Sequence, residues 1–269
     1  MSIKSILYPF YGDGHALKPF HQALSLAKSW QALVTVRYVE PEFFYNPGIY
    51  SDLYSANLVF EASLLERNER AEKAKELFDD YQSPYKSHAR FNSDRGFAGQ
   101  ILAEEGRYSD LIIMARPISE YQDMLTPCLF ETSRPVLMLP EVMEKGQDLS
   151  ISTVTLAWDG GMQATRALQH GLDFMSKAQT VHVITSFEED AANKAIIEYL
   201  ELHGVRAQLQ SIPADSGDIG KAILNKAMDC QTDLLVMGAY GHSRLREMIL
   251  GGTTQHMISH ATIPLLLSH

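Results

Sequence analysis

Two doubly wound α/β units in tandem, each with a mainly parallel five-stranded sheet, are the fold the sequence predicts. Three observations carry that prediction. Short apolar runs alternate with amphipathic helical patterns, the runs are apolar on both faces, and the order of elements restarts after residue 150. Strands that are apolar on both faces and separated by helices belong in a parallel sheet covered by helices on each side. Right-handed crossovers then wind each unit doubly.

The elements follow in order. ILYPF (6–10) and VTLAW (154–158) are the opening strands, each followed by glycine and aspartate, as YGDG and DGG. The stretches 16–30 and 162–178 carry apolar residues at i, i+3, i+4 spacing and predict helices. LVTVRYV (33–39) and TVHVITSF (180–187) are rich in β-branched and aromatic residues and predict strands. Amphipathic stretches follow at 56–82 and 188–204. GFAGQILAEEGRYSDLIIMA (96–115) then echoes DIGKAILNKAMDCQTDLLVMG (218–238): helix, short turn, aspartate, buried strand. Each half closes on an apolar run, PVLML (135–139) or PLLLS (264–268). Between the halves lies PEVMEKGQDLS, polar and containing Pro140 and Gly146, which reads as a linker. The expected division is 1–140, linker 141–150, and 151–269. A single ten-stranded sheet is the alternative, disfavoured because each half restarts with the same element order. Pairing of the two final strands across the halves is also expected, which would make the chain a pseudo-dimer.

Bulk properties exclude several classes of function. A chain of 269 residues with 45% hydrophobic and 21% charged residues is an ordinary globular composition. The net charge of −10 argues against nucleic acid or an anionic membrane as the main partner. Cys128 and Cys230 are the only cysteines, so neither a disulfide framework nor a cysteine metal site is indicated. With no signal-like or membrane-spanning apolar run, a cytoplasmic location is expected.

The second half contains GAYGHSRLREMILGGTT (238–254), directly after the apolar DLLVMG and ahead of IPLLL. Ligands of open α/β sheets bind beyond the carboxyl ends of the strands. Glycines there let backbone N–H groups approach an anion, and a helix start with threonine hydroxyls favours phosphate. The stretch is neither a GxxxxGK[ST] loop nor a GxGxxG fingerprint, and a glycine turn with an ordinary threonine cap is the plain alternative. Gly238-x2-Gly241-x9-Gly251 in this setting resembles the ATP-binding signature of the universal stress protein (UspA) family, in its tandem two-domain form. The resemblance implies an adenine nucleotide alpha hydrolase-like, Rossmann-like fold and ATP as ligand, with Mg²⁺ as an accompanying ion. The family pattern has serine or threonine directly after the third glycine; this chain has Gly252 there, followed by Thr253 and Thr254. The resemblance further implies Asp159 at the adenosine end, Ala157 offering backbone, and Val183 meeting adenine with its main chain. The loop contacts it implies are Met237, Gly238, Tyr240, Gly241, Gly251, Gly252, Thr253 and Thr254.

The first half has no counterpart to this loop. From Asp110 to Pro135, the proline ahead of the closing strand, is 25 positions, against 31 from Asp233 to Pro264. The six absent positions fall in the glycine loop, and RPISEYQDMLTPCLF (116–130) has prolines at 117 and 127 and no glycine. Proline has no N–H to offer. Asp13 stands two residues later than Asp159 relative to its strand. One nucleotide site, in the C-terminal half, is therefore expected. The first half instead carries EPEFFYNPGIYSDLY (40–54), a long aromatic-rich loop that suits a lid or contact surface. An insertion packed on its own domain suits it equally.

Other residues weigh less. His256 and His260 have i, i+4 spacing but no HExxH context or third ligand, so surface or capping roles are expected. Ser243 and Ser259 lack a nucleophile elbow. Arg244 and Arg246 suit neutralising phosphate near the loop or equally a solvated helix, where i, i+2 spacing puts them on different faces. The function expected is a stress-response protein acting by ATP binding and conformational signalling, with no catalytic residues assigned. The partners expected are an adenine nucleotide and, across chains, a second copy in a homodimer. The rival expectations are a scaffold or small-ligand binder using the 40–54 loop, and a slow ATPase or nucleotidyl transferase.

Overall fold

The computed structural model describes residues 3–10, 12, 17–41, 68–80, 88–117, 122–140, 149–186, 191–213, 217–241 and 252–269. The first unit runs β1 (Ser5–Phe10), α1 (Leu17–Trp30), β2 (Leu33–Pro41), α2 (68–80), β3 (Ala89–Gly96), α3 (Ala98–Gly106), β4 (Leu111–Ala115), α4 (Gln122–Phe130) and β5 (Val136–Leu139). The second runs β6 (Thr153–Ala157), α5 (Met162–Met175), β7 (Thr180–Thr185), α6 (Ala191–Leu202), β8 (Ala207–Ser211), α7 (Ile219–Asp229), β9 (Leu234–Gly238), α8 (Gly252–His260) and β10 (Leu265–Ser268).

The inner strands are buried on both faces because their side chains are mostly apolar, with a few buried polar residues such as Thr155 and His182 among them. β4 reads LIIMA and is buried throughout. The helices bury one stripe: Phe20, Ala23, Leu24 and Ala27 of α1, and Ala164, Ala167, Leu168, Gly171, Phe174 and Met175 of α5. Helix ends repeat between units as well. Gln31 and Gln231 both take φ of 52°, and the residue after each returns its N–H five positions back, Ala32 to Ala27 and Thr232 to Ala227. That is the six-to-one bond of a Schellman ending, with glutamine in the place usually held by glycine.

One carboxylate in each unit closes the sheet edge opposite the strand tips. Asp110 Oδ2 accepts from the Lys4 and Ser5 amides at 2.8 and 3.0 Å. Asp233 Oδ2 accepts from the Ser152 and Thr153 amides at 2.8 Å each. The aspartate that precedes each buried strand thus pins the start of its unit's first strand.

All neighbouring strands are parallel except one pair. The order is β3-β2-β1-β4-β5-β10-β9-β6-β7-β8, a single ten-stranded sheet joined by the antiparallel pair β5 and β10. Each unit has five strands as expected, and the final strands pair across the units. The preference for two separate sheets over one continuous sheet is corrected. VLML and LLLS are buried at every position, and two-sided apolar strands cannot be left as solvent-facing edges. The register Met138↔Leu265, Leu137↔Leu266, Val136↔Leu267 puts a pseudo-twofold axis at Leu137 and Leu266. The outer edges are the polar β3 (ARFNSDRG) and β8 (AQLQS). Among the described residues no helix is long and apolar enough to cross a membrane.

Candidate functional site

At the carboxyl tips of β6, β7 and β9 the second unit holds a cleft of about 270 Å³. It lies where the chain, having built β7 and β8 on one side of β6, returns to build β9 on the other. The first wall is the turn after β6. Asp159 Oδ1 accepts from the Gly161 amide at 2.8 Å, an Asx turn that leads into α5 through Gly160 at φ +73°. Asp159 itself lines the cleft.

Gly238 sets how near α5 can come. A Cβ there would lie 2.6 Å from the Ala164 nitrogen and 2.7 Å from the Gln163 carbonyl carbon, both backbone atoms that cannot give way. The absence of a side chain lets the first turn of α5 sit on the tip of β9, and Gln163 and Ala164 form the cleft wall between them. Past Gly238 the chain turns through Tyr240, whose φ is +57°, a left-handed conformation unusual for a residue with a Cβ. Two hydrogen bonds hold the turn: Ala239 N–H donates to the Ser268 carbonyl at 2.8 Å, and Tyr240 N–H donates to Thr254 Oγ1 at 3.1 Å. Burial pushes the Tyr240 hydroxyl up to about 12, so it stays protonated.

The third wall is α8. Its helix begins at Gly252, so Gly252, Thr253 and Thr254 form the first turn. Thr253 and Thr254 line the cleft, and a Cβ on Gly252 would meet only open space. The cleft is lined by polar residues (Asp159, Thr185, Ser186, Thr253, Thr254) and by the isoleucines Ile184, Ile212, Ile219 and Ile223. Asp159 is the only charged residue among the described ones that line it.

Most of the residues expected at a site converge here. Ala157, Asp159, Met237, Gly238, Tyr240, Gly241, Thr253 and Thr254 all line the cleft. Val183 does not: it is fully buried inside β7, and its successors Ile184, Thr185 and Ser186 reach the cleft instead. Gly252 begins α8 without lining it, and Gly251 lies outside the described residues, as do Ser243, Arg244, Arg246, Asp13 and the 42–54 part of the aromatic loop. Sequence reasoning missed Trp158, Gln163 and the isoleucines that line the cleft. Trp158 stood in the opening strand as core, and Ile219 and Ile223 read as the buried stripe of α7.

The His256 and His260 rings stack at 4.3 Å, His260 Nδ1 lies 2.9 Å from the His256 carbonyl, and His256 Nδ1 lies 3.4 Å from Asp218 Oδ2. Among the described residues no cluster of three or more histidine, cysteine, aspartate or glutamate side chains is placed to hold a metal ion. Cys128 is buried and its thiol pushed up to about 12, so it is an inert core residue.

Residues 151–269 match the model of the universal stress protein family. Universal stress protein Slr1230 of Synechocystis is 28% identical over 141 residues, 49% of this chain and 46% of that protein. The chain therefore spans about half the length of this curated relative. A universal stress protein from Archaeoglobus fulgidus DSM 4304 has a similar structure at TM-score 0.71, 20% identity, covering 98% of this chain and 95% of its own. A candidate member from Pseudomonas aeruginosa UCBPP-PA14 follows at TM-score 0.60, 18% identity, with 99% and 93% covered. The fold of the whole chain is thus the tandem fold of those structures, and residues 151–269 are similar to the universal stress protein family.

Proposed function

We propose that this chain is a universal stress protein that binds ATP in the cleft of its second unit and acts in the stress response through that binding. The domains would divide at 1–140 and 151–269, with 141–150 as linker. The observation that carries the reading is the convergence of three separated segments on one cleft: Asp159, Gly238–Gly241 and Thr253–Thr254. The isoleucines that line the cleft suit a base, the Asp159 carboxylate suits ribose hydroxyls, and the first turn of α8 with its threonines suits phosphate. With no cation among the described lining residues, backbone amides and the helix dipole would carry the phosphate charge. Mg²⁺ would be held chiefly by the phosphates, since one carboxylate and two hydroxyls are a sparse protein share.

Calorimetric titration of the full chain with ATP, ADP and AMP tests the reading. One nucleotide per chain is expected. Gly241→Asp, which places a carboxylate beside Gln163 at the cleft, should weaken ATP about 100-fold or more, as a like charge facing phosphate. No heat with any adenine nucleotide at millimolar concentration, or two sites per chain, would defeat it.

A further inference from the structure

The wall of the cleft formed by the Ala239–Gly241 turn is backed by a residue of the other unit. Phe130, the last residue of α4, packs its ring 5.1 Å from that of Tyr240 and 4.3 Å from the His269 imidazole. His269 Nδ1–H in turn donates to the Ala239 carbonyl at 3.0 Å. Tyr240 and Ala239, the two residues that make the left-handed turn, are therefore each tied to Phe130, one directly and one through His269. Inside the cleft the same Tyr240 lines the site.

A left-handed residue with a Cβ persists only where its surroundings hold it. Among the described residues of its own unit, Tyr240 packs against the core and its amide donates a neutral hydrogen bond to Thr254, the weaker kind of polar restraint. Offset aromatic packing adds specific orientation beyond buried area, and it comes from across the seam. Phe130 itself is 40% exposed, so its ring contributes little to its own unit's core.

We infer that Phe130 is a positioning residue for the cleft, by which the first unit holds Tyr240 and so fixes the loop wall of the second unit's site. A ligand seated against Tyr240 is then sensed at the seam between units, because linkage between two sites runs both ways. The affinity consequences rest on the nucleotide reading above; the positioning itself does not.

Hydrogen exchange in the ligand-free full chain tests the positioning. Phe130→Ala should speed exchange of the Tyr240 amide about tenfold, Phe130→Leu should give an intermediate rate, and the Val183 amide of β7 should keep its wild-type rate. Unchanged exchange at Tyr240, or equal acceleration at Val183, overturns the inference. In titrations, Phe130→Ala should weaken ATP about tenfold, and the effect should vanish in a Tyr240→Gly background, where the left-handed turn needs no support. An unaltered affinity in Phe130→Ala, or a loss of the same size in the glycine background, also overturns it. If wild-type protein takes up no ATP, the nucleotide reading fails alone, and the exchange measurement decides the positioning.

Discussion

At the tip of β9 stands Gly238; at the same register in the first unit, the tip of β4, stands Ala115. The difference follows from how the helix after the first strand begins. In the second unit α5 starts nine residues after Thr153 and rests its first turn on Gly238; in the first, α1 starts twelve residues after Ser5. The side chains at the tips differ in the same sense. Trp158 and Thr185 line a cleft, whereas their register equivalents Phe10 and Tyr38 are buried, and the Tyr38 hydroxyl donates to Glu40 at 2.5 Å. Phe10, Tyr8, Phe78 and Phe91 extend from Phe20 as a chain of tilted ring contacts that occupies the first unit. Among the described residues, the strand tips of the second unit thus line a cleft while those of the first carry packed aromatic rings, a difference of side-chain volume at a few positions.

The sharpest way to break this comparison is to exchange the tip residues. Gly238→Ala should cost about 1–3 kcal/mol through overpacking against α5 backbone and abolish measurable ATP binding, read by thermal melts and titration. Ala115→Gly should cost about 1 kcal/mol or less and leave the ligand behaviour unchanged. Equal effects at the two positions would mean that the tips are not functionally different.

The two aspartate clasps provide the opposite control, a feature the halves share. Asp110→Ala and Asp233→Ala should each lower stability by about 1–3 kcal/mol, since each strands two amides, and chemical denaturation should place them within error of one another. A smaller effect follows from Thr254→Val, which removes the acceptor of the Tyr240 amide: about 1 kcal/mol of stability and a few-fold of ATP affinity are expected.

The mildest test is pH. His170 Nδ1 lies 3.0 Å from Ser268 Oγ at the end of the seam strand. Burial first, then the charges of Arg134 and Arg166, hold the imidazole below its ordinary value of about 6.5. A depressed value in the folded state means the unfolded chain takes up the proton first. The stability is therefore full above about pH 6.5 and declines as pH falls below it. Melting temperatures recorded from pH 7.5 to 5 should fall less steeply in His170→Gln than in wild type; parallel curves would exclude His170 as a contributor.

The strands that were plain in the sequence are those buried on both faces, because a mostly apolar run is what occupies the middle of a helix-covered sheet. β3 and β8 left no such trace: ARFNSDRG and AQLQS are edge strands with one solvated side, and their alternation is weak. The glycine loop and Asp159 were legible because backbone approach and helix entry require particular residue types. The isoleucine lining of the cleft was not, since an isoleucine facing a ligand and one facing the core have the same pattern along α7. Val183 precedes Ile184, Thr185 and Ser186, the residues at the end of β7 that line the cleft.

The antiparallel join of β5 and β10 has a further consequence. In a protein whose units are separate chains, like must pair with like, so any change to one face of the pair appears on both. Tethering the units raises their mutual effective concentration to roughly millimolar and makes every molecule a mixed couple by descent. One member can then lose its vessel and become a specialised wall for the other without ever meeting a copy of itself across the join.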